Sequence, residues 1–428
     1  MSRQMKDSGI EWIGKIPKEW NTLPLKRIST IQTGASPEKK EGNDNYSDES
    51  GIPWIKAEDL DSFEPIHKTS EYLTEKGIKR GRIYPSNTVF VCCIASIGKV
   101  GYSDIPCSCN QQINGLTFND KVFWKFGFYE AIASSDEHIA RSNKSVTPIL
   151  NSSDESSIKF TFPPLPEQRQ IVHFLDRKCS AIDTAIEKTK ESIEKLEEYK
   201  KAVITKAVTK GLDPDAKMKD SGVEWIGEVP EGWKIIKTKY LFHILKRIAG
   251  EEGYDVISIT QNGLKIRDTK SNEGQVAADY SNYQFVYPGD FAMNHMDLLT
   301  GWVDLSTLFG VTSPDYRVFR RISEKVNNDY YRYVFQSLYF NKVYYGLAKG
   351  VAEMGRKRLQ APVFKDVRLP FPPSEEQKVI ADYIDQKCTA INHLIAKKQE
   401  TISKWEEYKK SLIYYAVTGK IDCRNEVL

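Results

Sequence analysis

Apolar residues recur along two stretches of this chain with the spacing of a helix that hides one stripe. Within residues 162–209 they fall at Ile182, Ile186, Ile193, Leu196, Val203 and Ala207. Within residues 371–418 they fall at Ile391, Ile395, Ile402, Trp405, Leu412 and Ala416. The steps of 4, 7, 3, 7 and 4 are heptad-like, with Lys and Glu on the other faces, and they predict two long amphipathic helices. Pro163-Pro164 and Pro372-Pro373 stop whatever precedes them, and Pro166 suits a first helical turn. In the second copy Ser374, with Gln377 three residues on, has the pattern of a capping box. Forty residues of helix would measure about 60 Å, far more than a globular core needs, so each helix reads as a spacer.

The two stretches are copies of one another. At a constant offset of 209 they agree at 25 of 48 positions, including Glu-Gln (167–168, 376–377), Lys-Cys (178–179, 387–388) and Glu-Glu-Tyr-Lys-Lys (197–201, 406–410). A shorter repeat leads each half: Met5–Gly14 and Met218–Gly227 differ only at Ile10 and Val223. The chain is therefore a tandem duplication. A helical stripe needs a partner, and the twin in the same chain is the nearest one available.

Between the repeats lie two regions of similar length with no clear residue match. In the first, Gly51–Lys56 and Thr88–Ile94 read as strands, Ala95–Gly101 as a tight turn, Val122–Ala133 as a helix and Asn143–Ser157 as an exposed polar segment. In the second, strands are expected around Asp255–Thr260, Gln284–Tyr287 and Asp315–Arg320, and a Tyr-rich helix at Asp329–Leu347. Trp12, Pro17 and Trp20, like Trp225, Pro230 and Trp233, precede these regions in the same way and predict a shared packing role. The expected division is 1–161 for a first recognition domain with its leader, 162–212 for a helical spacer, 213–370 for a second domain and 371–428 for a second spacer. Near-identical scaffolds carrying unlike inserts imply two heads with different targets.

Composition narrows the class. With 61 basic and 58 acidic residues among 428, the net charge of +3 announces no polyanion partner, although basic residues can still cluster on one face. Neither an apolar signal core nor an apolar run of about 18 residues occurs, and the seven cysteines include no Cys-x-x-Cys pair, so the chain reads as cytoplasmic and reduced. Cys92, Cys93, Cys107 and Cys109 lack a histidine at zinc-finger spacing. No phosphate-binding Gly-rich loop, no Asn/Asp-Pro-Pro-Tyr/Phe methyltransferase motif and no hydrolytic or metalloprotease constellation appears. The sequence offers no catalytic, metal or cofactor site of its own.

On the Pro-Pro-x-x-Glu-Gln helix starts, the Glu-Glu-Tyr-Lys-Lys runs, the closing Ala-Val-Thr (207–209, 416–418) and the two leaders, the whole chain resembles the specificity subunits of type I restriction-modification systems. The resemblance implies an α+β fold: two mixed target-recognition domains joined by two long antiparallel, coiled-coil-like helices in a pseudo-two-fold tandem repeat. It implies a non-catalytic role, in which each domain reads one half of a split DNA sequence. The helices would set the gap and dock two methyltransferase (modification) subunits, with two restriction subunits able to join. S-adenosylmethionine, ATP and Mg would belong to those partners. Half-sites on one DNA face repeat at about 34–36 Å, so a rod of about 60 Å suits heads one to two turns apart.

Base edges are read by Arg, Lys, Asn, Gln, Ser and Thr, and phosphates by Lys, Arg and backbone donors. The candidates are Ser96, Lys99, Asn110, Gln111, Gln112, Arg141 and Lys144 in the first head. In the second they are Gln261, Asn262, Lys265, Arg267, Asn294, His295, Tyr316, Arg356, Lys357 and Arg358. Lys99 and the 356–358 group lead because each adjoins glycine, where backbone can approach a duplex closely. A free-standing DNA-binding regulator and a coiled-coil adaptor stay open as alternatives from other classes.

Overall fold

The structure is a computed structural model, and it describes residues 3–39, 44–60, 63–143, 146–268, 279–348 and 357–424. The chain forms two compact units, Met1–Thr189 with Gln399–Leu428, and Lys190–Lys398. The two long helices span Leu165–Lys210 and Ser374–Val417, so each unit contains the first half of one helix and the second half of the other. At 46 residues the first measures about 69 Å.

The first unit is built on a four-stranded antiparallel sheet of β1 (Ser29–Thr33), β2 (Thr88–Cys92), β3 (Val100–Ser103) and β4 (Ile113–Phe118). Its spatial order is β1-β4-β2-β3. A smaller mixed sheet that includes Ile52–Ile55 lies alongside it in sequence, and the helix Trp124–Ala133 packs on the main sheet. Val89, Val91, Leu116, Phe126, Phe128 and Tyr129 meet Ile171, Leu175, Ile182 and Ile186 of the first long helix and Leu412, Ile413 and Val417 of the second in one core. Lys409 adds a paired contact, with Nζ 2.6 and 2.7 Å from the two Asp183 carboxylate oxygens.

The second unit has β5 (Phe242–Leu245), β6 (Phe291–Met293), β7 (Val303–Leu305) and β8 (Arg317–Arg321), again all antiparallel, in the order β5-β8-β6-β7. This is the strand order of the first unit. Phe242, Phe291 and Phe319 of the sheet meet Phe335 through one stacked and several edge-to-face contacts, in a core that takes in Ile204 and Val208 of the first long helix and Ile380 and Ile384 of the second. The two regions with no residue match therefore share the strand order of their main sheet. Sheet pairing is carried by backbone hydrogen bonds, which leave side chains free to diverge as long as one face stays apolar.

Several local expectations shift. Ser374 is already helical, so no capping box forms; Gln377 donates instead to the Pro372 and Lys325 carbonyls. The Tyr-rich stretch divides into Asn328–Phe340 and Val343–Leu347, because Lys342 takes a left-handed conformation (φ 57°). The polar segment 143–157 is not wholly exposed: it ends in the helix Ser152–Ser157, capped by Asn151, and buries Glu155. Each long helix stops at a glycine of positive φ, Gly211 and Gly419. At Gly419 a Cβ would lie 2.4 Å from Pro17 Cδ, so only glycine fits.

Of the stripe residues, Ile182, Ile186, Ile391, Ile395 and Leu412 are buried, Ile193, Leu196, Val203 and Ile402 half-buried, and Trp405 is exposed beside Tyr408. The seven cysteines form no disulfide among the described residues, and all but the half-buried Cys388 are buried. Among the described residues no helix is long and apolar enough to cross a membrane. Within that same set, no group of three or more His, Cys, Asp or Glu is placed to hold a metal ion.

Candidate nucleic-acid interface

In the first unit the register pairs Cys92 with Ile113 and Thr33 with Asn114, so the ends of β1 and β2 and the start of β4 share one end of the sheet. Backbone bonds gather three loops there. The Cys93 amide donates to the Gln112 carbonyl (2.8 Å), that of Ala95 to Pro148 (3.0 Å), and that of Leu150 back to Cys93 (2.8 Å). Ala95 (φ 62°) and Gly98 (φ 88°) turn the chain tightly between β2 and β3. That turn presents Ser96 exposed and Lys99 half-buried.

Asn110 is buried at this end and braces its own loop. Its Oδ1 accepts from the Gln112 amide (3.0 Å) and its Nδ2 donates to Gln112 Oε1 (3.1 Å). Gln111 is exposed and accepts from Ser36. Arg141 is exposed and tied within the unit to Glu137 (2.5 Å) and Ser157 (2.9 Å). Lys144 lies outside the described residues. One basic group at this end was not picked from the sequence: the exposed Arg82, whose guanidinium donates to the Thr33 carbonyl. Nothing in its local sequence sets it apart.

The second unit repeats the arrangement at the same end of its sheet. Met293 pairs with Arg317 as Cys92 pairs with Ile113, so Asn294 and His295 follow β6 as Cys93 and Ile94 follow β2, and Tyr316 precedes β8 as Gln112 precedes β4. The Leu359 amide donates to the His295 carbonyl (3.0 Å), one residue further past the strand than the carbonyl that takes the Leu150–Cys93 bond in the first unit. Asn294 Oδ1 accepts from the Met296 amide (3.2 Å), and its carbonyl accepts from the Tyr339 hydroxyl (2.5 Å). Tyr316 is half-buried. Gln261 and Asn262 form the exposed two-residue turn of a hairpin (Ile257–Thr260, Gly263–Ile266), and Gln261 Nε2 reaches the Thr300 carbonyl at 3.4 Å, tying the tip to the loop after β6. Lys265 is exposed on that hairpin and Arg267 half-buried just past it.

The electrostatics of the two ends differ. Where the first unit has apolar Ile113, the second buries Arg317, which donates to the Leu359 carbonyl (2.8 Å) and sits over the Phe364 ring (4.7 Å). Burial pushes this guanidinium down to about 10. His295 is pushed down to about 3, first by burial and then by Arg317 and Arg358, so its imidazole is neutral at pH 7. Arg358 is exposed, Lys357 lies 4.0 Å from the Tyr345 ring centroid, and Arg356 falls outside the described residues. Each end thus presents amide, hydroxyl and guanidinium groups, the set that reads base edges and phosphates, in a different selection on the same frame.

At the other end, both units are closed by the leader tryptophans, for which a shared packing role was expected, and by a glutamate of each helix start. Trp20 Nε1 donates to Glu167 (2.8 Å) and Trp233 Nε1 to Glu376 (3.0 Å). Arg3 also binds Glu167. The signal was present: Glu-Gln repeats at the 209 offset and a tryptophan recurs in each leader.

The chain matches, over residues 17–198 and again over 230–404, the model of the family described as type I restriction modification DNA specificity domain. It is 28% identical over 290 residues to the type I restriction enzyme MjaVIII specificity subunit of Methanocaldococcus jannaschii, a match spanning 63% of this chain and 63% of that relative's length. It is 26% identical over 454 aligned positions to the putative type I restriction enzyme MjaX specificity subunit of the same organism, covering 96% of this chain and 95% of the relative. A chain solved in work on complex assembly and conformational transition of the type I R-M system superposes with a TM-score of 0.67 at 15% identity, covering 95% of this chain and 99% of that one. That likeness is one of fold.

Proposed function

We propose that this chain, which belongs to the type I restriction modification DNA specificity family, is the non-catalytic sequence-reading subunit of a type I restriction-modification complex. Each unit reads one half of a bipartite DNA target with the loops at the β2/β4 and β6/β8 end of its sheet. The two long helices pair antiparallel along their heptad-like stripes, set the gap between half-sites and dock two methyltransferase subunits. Restriction subunits join that core to complete the nuclease. S-adenosylmethionine is held by the methyltransferase subunits and ATP with Mg by the restriction subunits, and the complex works on DNA in the cytoplasm.

One observation carries this reading. Two sheets of identical strand order, joined to near-identical helix starts, display different side chains at the same end. A duplicated frame whose displayed groups differ is what two-part recognition of unlike half-sites requires. The pairing of the helices is supported within each unit by the shared cores and, in the first, by the Asp183–Lys409 ion pair.

The test is methylation mapping of DNA from cells that express this chain with its methyltransferase partner, against the partner alone. A split motif of two unlike halves around a fixed gap, present only with this chain, is the expected result. Replacing residues 29–161 by another insert should then change one half only. A soluble, co-purifying complex that adds no methylation would overturn the proposal. In that case, DNA binding by the chain alone would point to a regulator and its absence to an adaptor.

A further inference from the structure

Each head is fastened to a long helix at two heights, through the loop after β4 or β8 and through the helix that follows it. At the first height the fully buried Gln168 donates through Nε2 to the Pro163 (2.9 Å) and Lys121 (3.2 Å) carbonyls and accepts from the Phe123 amide (2.8 Å). Gln377 does the same to Pro372 (2.9 Å), Lys325 (3.2 Å) and the Asn327 amide (2.8 Å). Eight residues further along each helix stands an aspartate, Asp176 or Asp385. Asp176 accepts from the Tyr129 hydroxyl (2.6 Å) and Lys125 (2.8 Å), and Asp385 from the Tyr333 hydroxyl and Arg332 (2.8 Å).

Eight residues are about 12 Å of helix axis. The shared core holds each head against its helix without fixing a direction, whereas two hydrogen-bonded attachments about 12 Å apart set its angle. Gln168 bonds the loop that follows β4, so this joint and the reading loops sit at opposite ends of the same strand. Six residues of strand separate them by about 20 Å. A tilt of about 10° at the joint would therefore move the reading loops by about 3.5 Å, roughly one base step of 3.4 Å.

We propose that Gln168 with Asp176, and Gln377 with Asp385, are positioning residues that fix the angle of each head on its helix and so select the gap length to a single base pair. This rests on the reading above and adds to helix length a second determinant of the gap.

The experiment uses the full chain with its methyltransferase partner and a set of duplexes that keep both half-sites but vary the gap by one and two base pairs. Tyr129→Phe, Asp176→Asn and Gln168→Leu each remove bonds at one joint. The expected result is a five- to tenfold loss, roughly, of the preference for the native gap over its neighbours, with base preferences inside the half-sites unchanged. Leu73→Ala, a buried core change on the smaller sheet of the first unit and in neither joint, should lower Tm without moving the gap preference. If Gln168→Leu does not fold, the two conservative variants decide. Soluble variants that keep the native gap preference overturn the inference while the function stands. A wild-type complex that reads no gapped site overturns the function as well.

Discussion

Replacing Gln377 by Ala tests most directly how the second head is held. The side chain is fully buried and makes three bonds, two donated to carbonyls and one accepted from the Asn327 amide. Each such bond contributes about 1 kcal/mol net, and a buried group left unpaired costs about 1–3 kcal/mol. Lys325 is exposed, so water can recover its carbonyl, whereas Pro372 is buried. The expected loss is about 2–4 kcal/mol, read as a lower urea midpoint at unchanged slope by tryptophan fluorescence. Gln377→Glu is the sharper probe. At pH 7 its carboxylate can still accept from Asn327 but faces two carbonyls with no proton to donate, so it should be at least as damaging as Ala. Protonation at acid pH should restore part of the loss. Because the Gln168 geometry is the same to within 0.1 Å, Gln168→Ala should match Gln377→Ala within about 1 kcal/mol. A loss below about 1 kcal/mol for Gln377→Ala, or a Glu variant milder than Ala at pH 7, would refute the accounting.

Two further outcomes are expected. Glu130 is fully buried, accepting from the Thr161 amide at 3.2 Å, and burial holds its carboxyl well above the usual carboxylate range. The folded chain therefore keeps a proton that the unfolded chain releases, so this group's stabilisation is complete at acid pH and is lost as pH rises. Glu130→Gln should flatten that decline and raise Tm at pH 8, and an unchanged pH profile would contradict the assignment. Arg358→Ala should weaken target binding and reduce the slope of log K against log salt by about 1, as loss of one phosphate contact does. An unaltered slope removes it from the interface.

The helices were legible because a 209-residue offset exposes them and their stripe repeats every three to four residues. The strands around 88–92, 257–260 and 317–321 were legible from β-branched and aromatic runs. What stayed hidden was long-range. Nothing local in Asn110–Gln112 shows that it will meet the turn after β2, and nothing in Glu155 shows that Asn114 will bury it with a 2.6 Å bond. The common strand order of the two heads was invisible for the same reason: it resides in backbone pairing, not in side chains. Gln377 was legible as a helix-start residue, yet besides the nearby Pro372 carbonyl it bonds the Lys325 carbonyl, 52 residues away.

The two units differ in how the chain supplies them, and synthesis on the ribosome will feel the difference. The second unit is one continuous segment, Lys190–Lys398, whereas the first waits for Ile413, Ala416, Val417 and the bond from Lys420 to the Ile13 carbonyl (3.0 Å). Those residues emerge more than 200 positions after Thr189. Domains usually complete in order of emergence. Here the half made first must hold an open apolar seam, and the half made second can close before it.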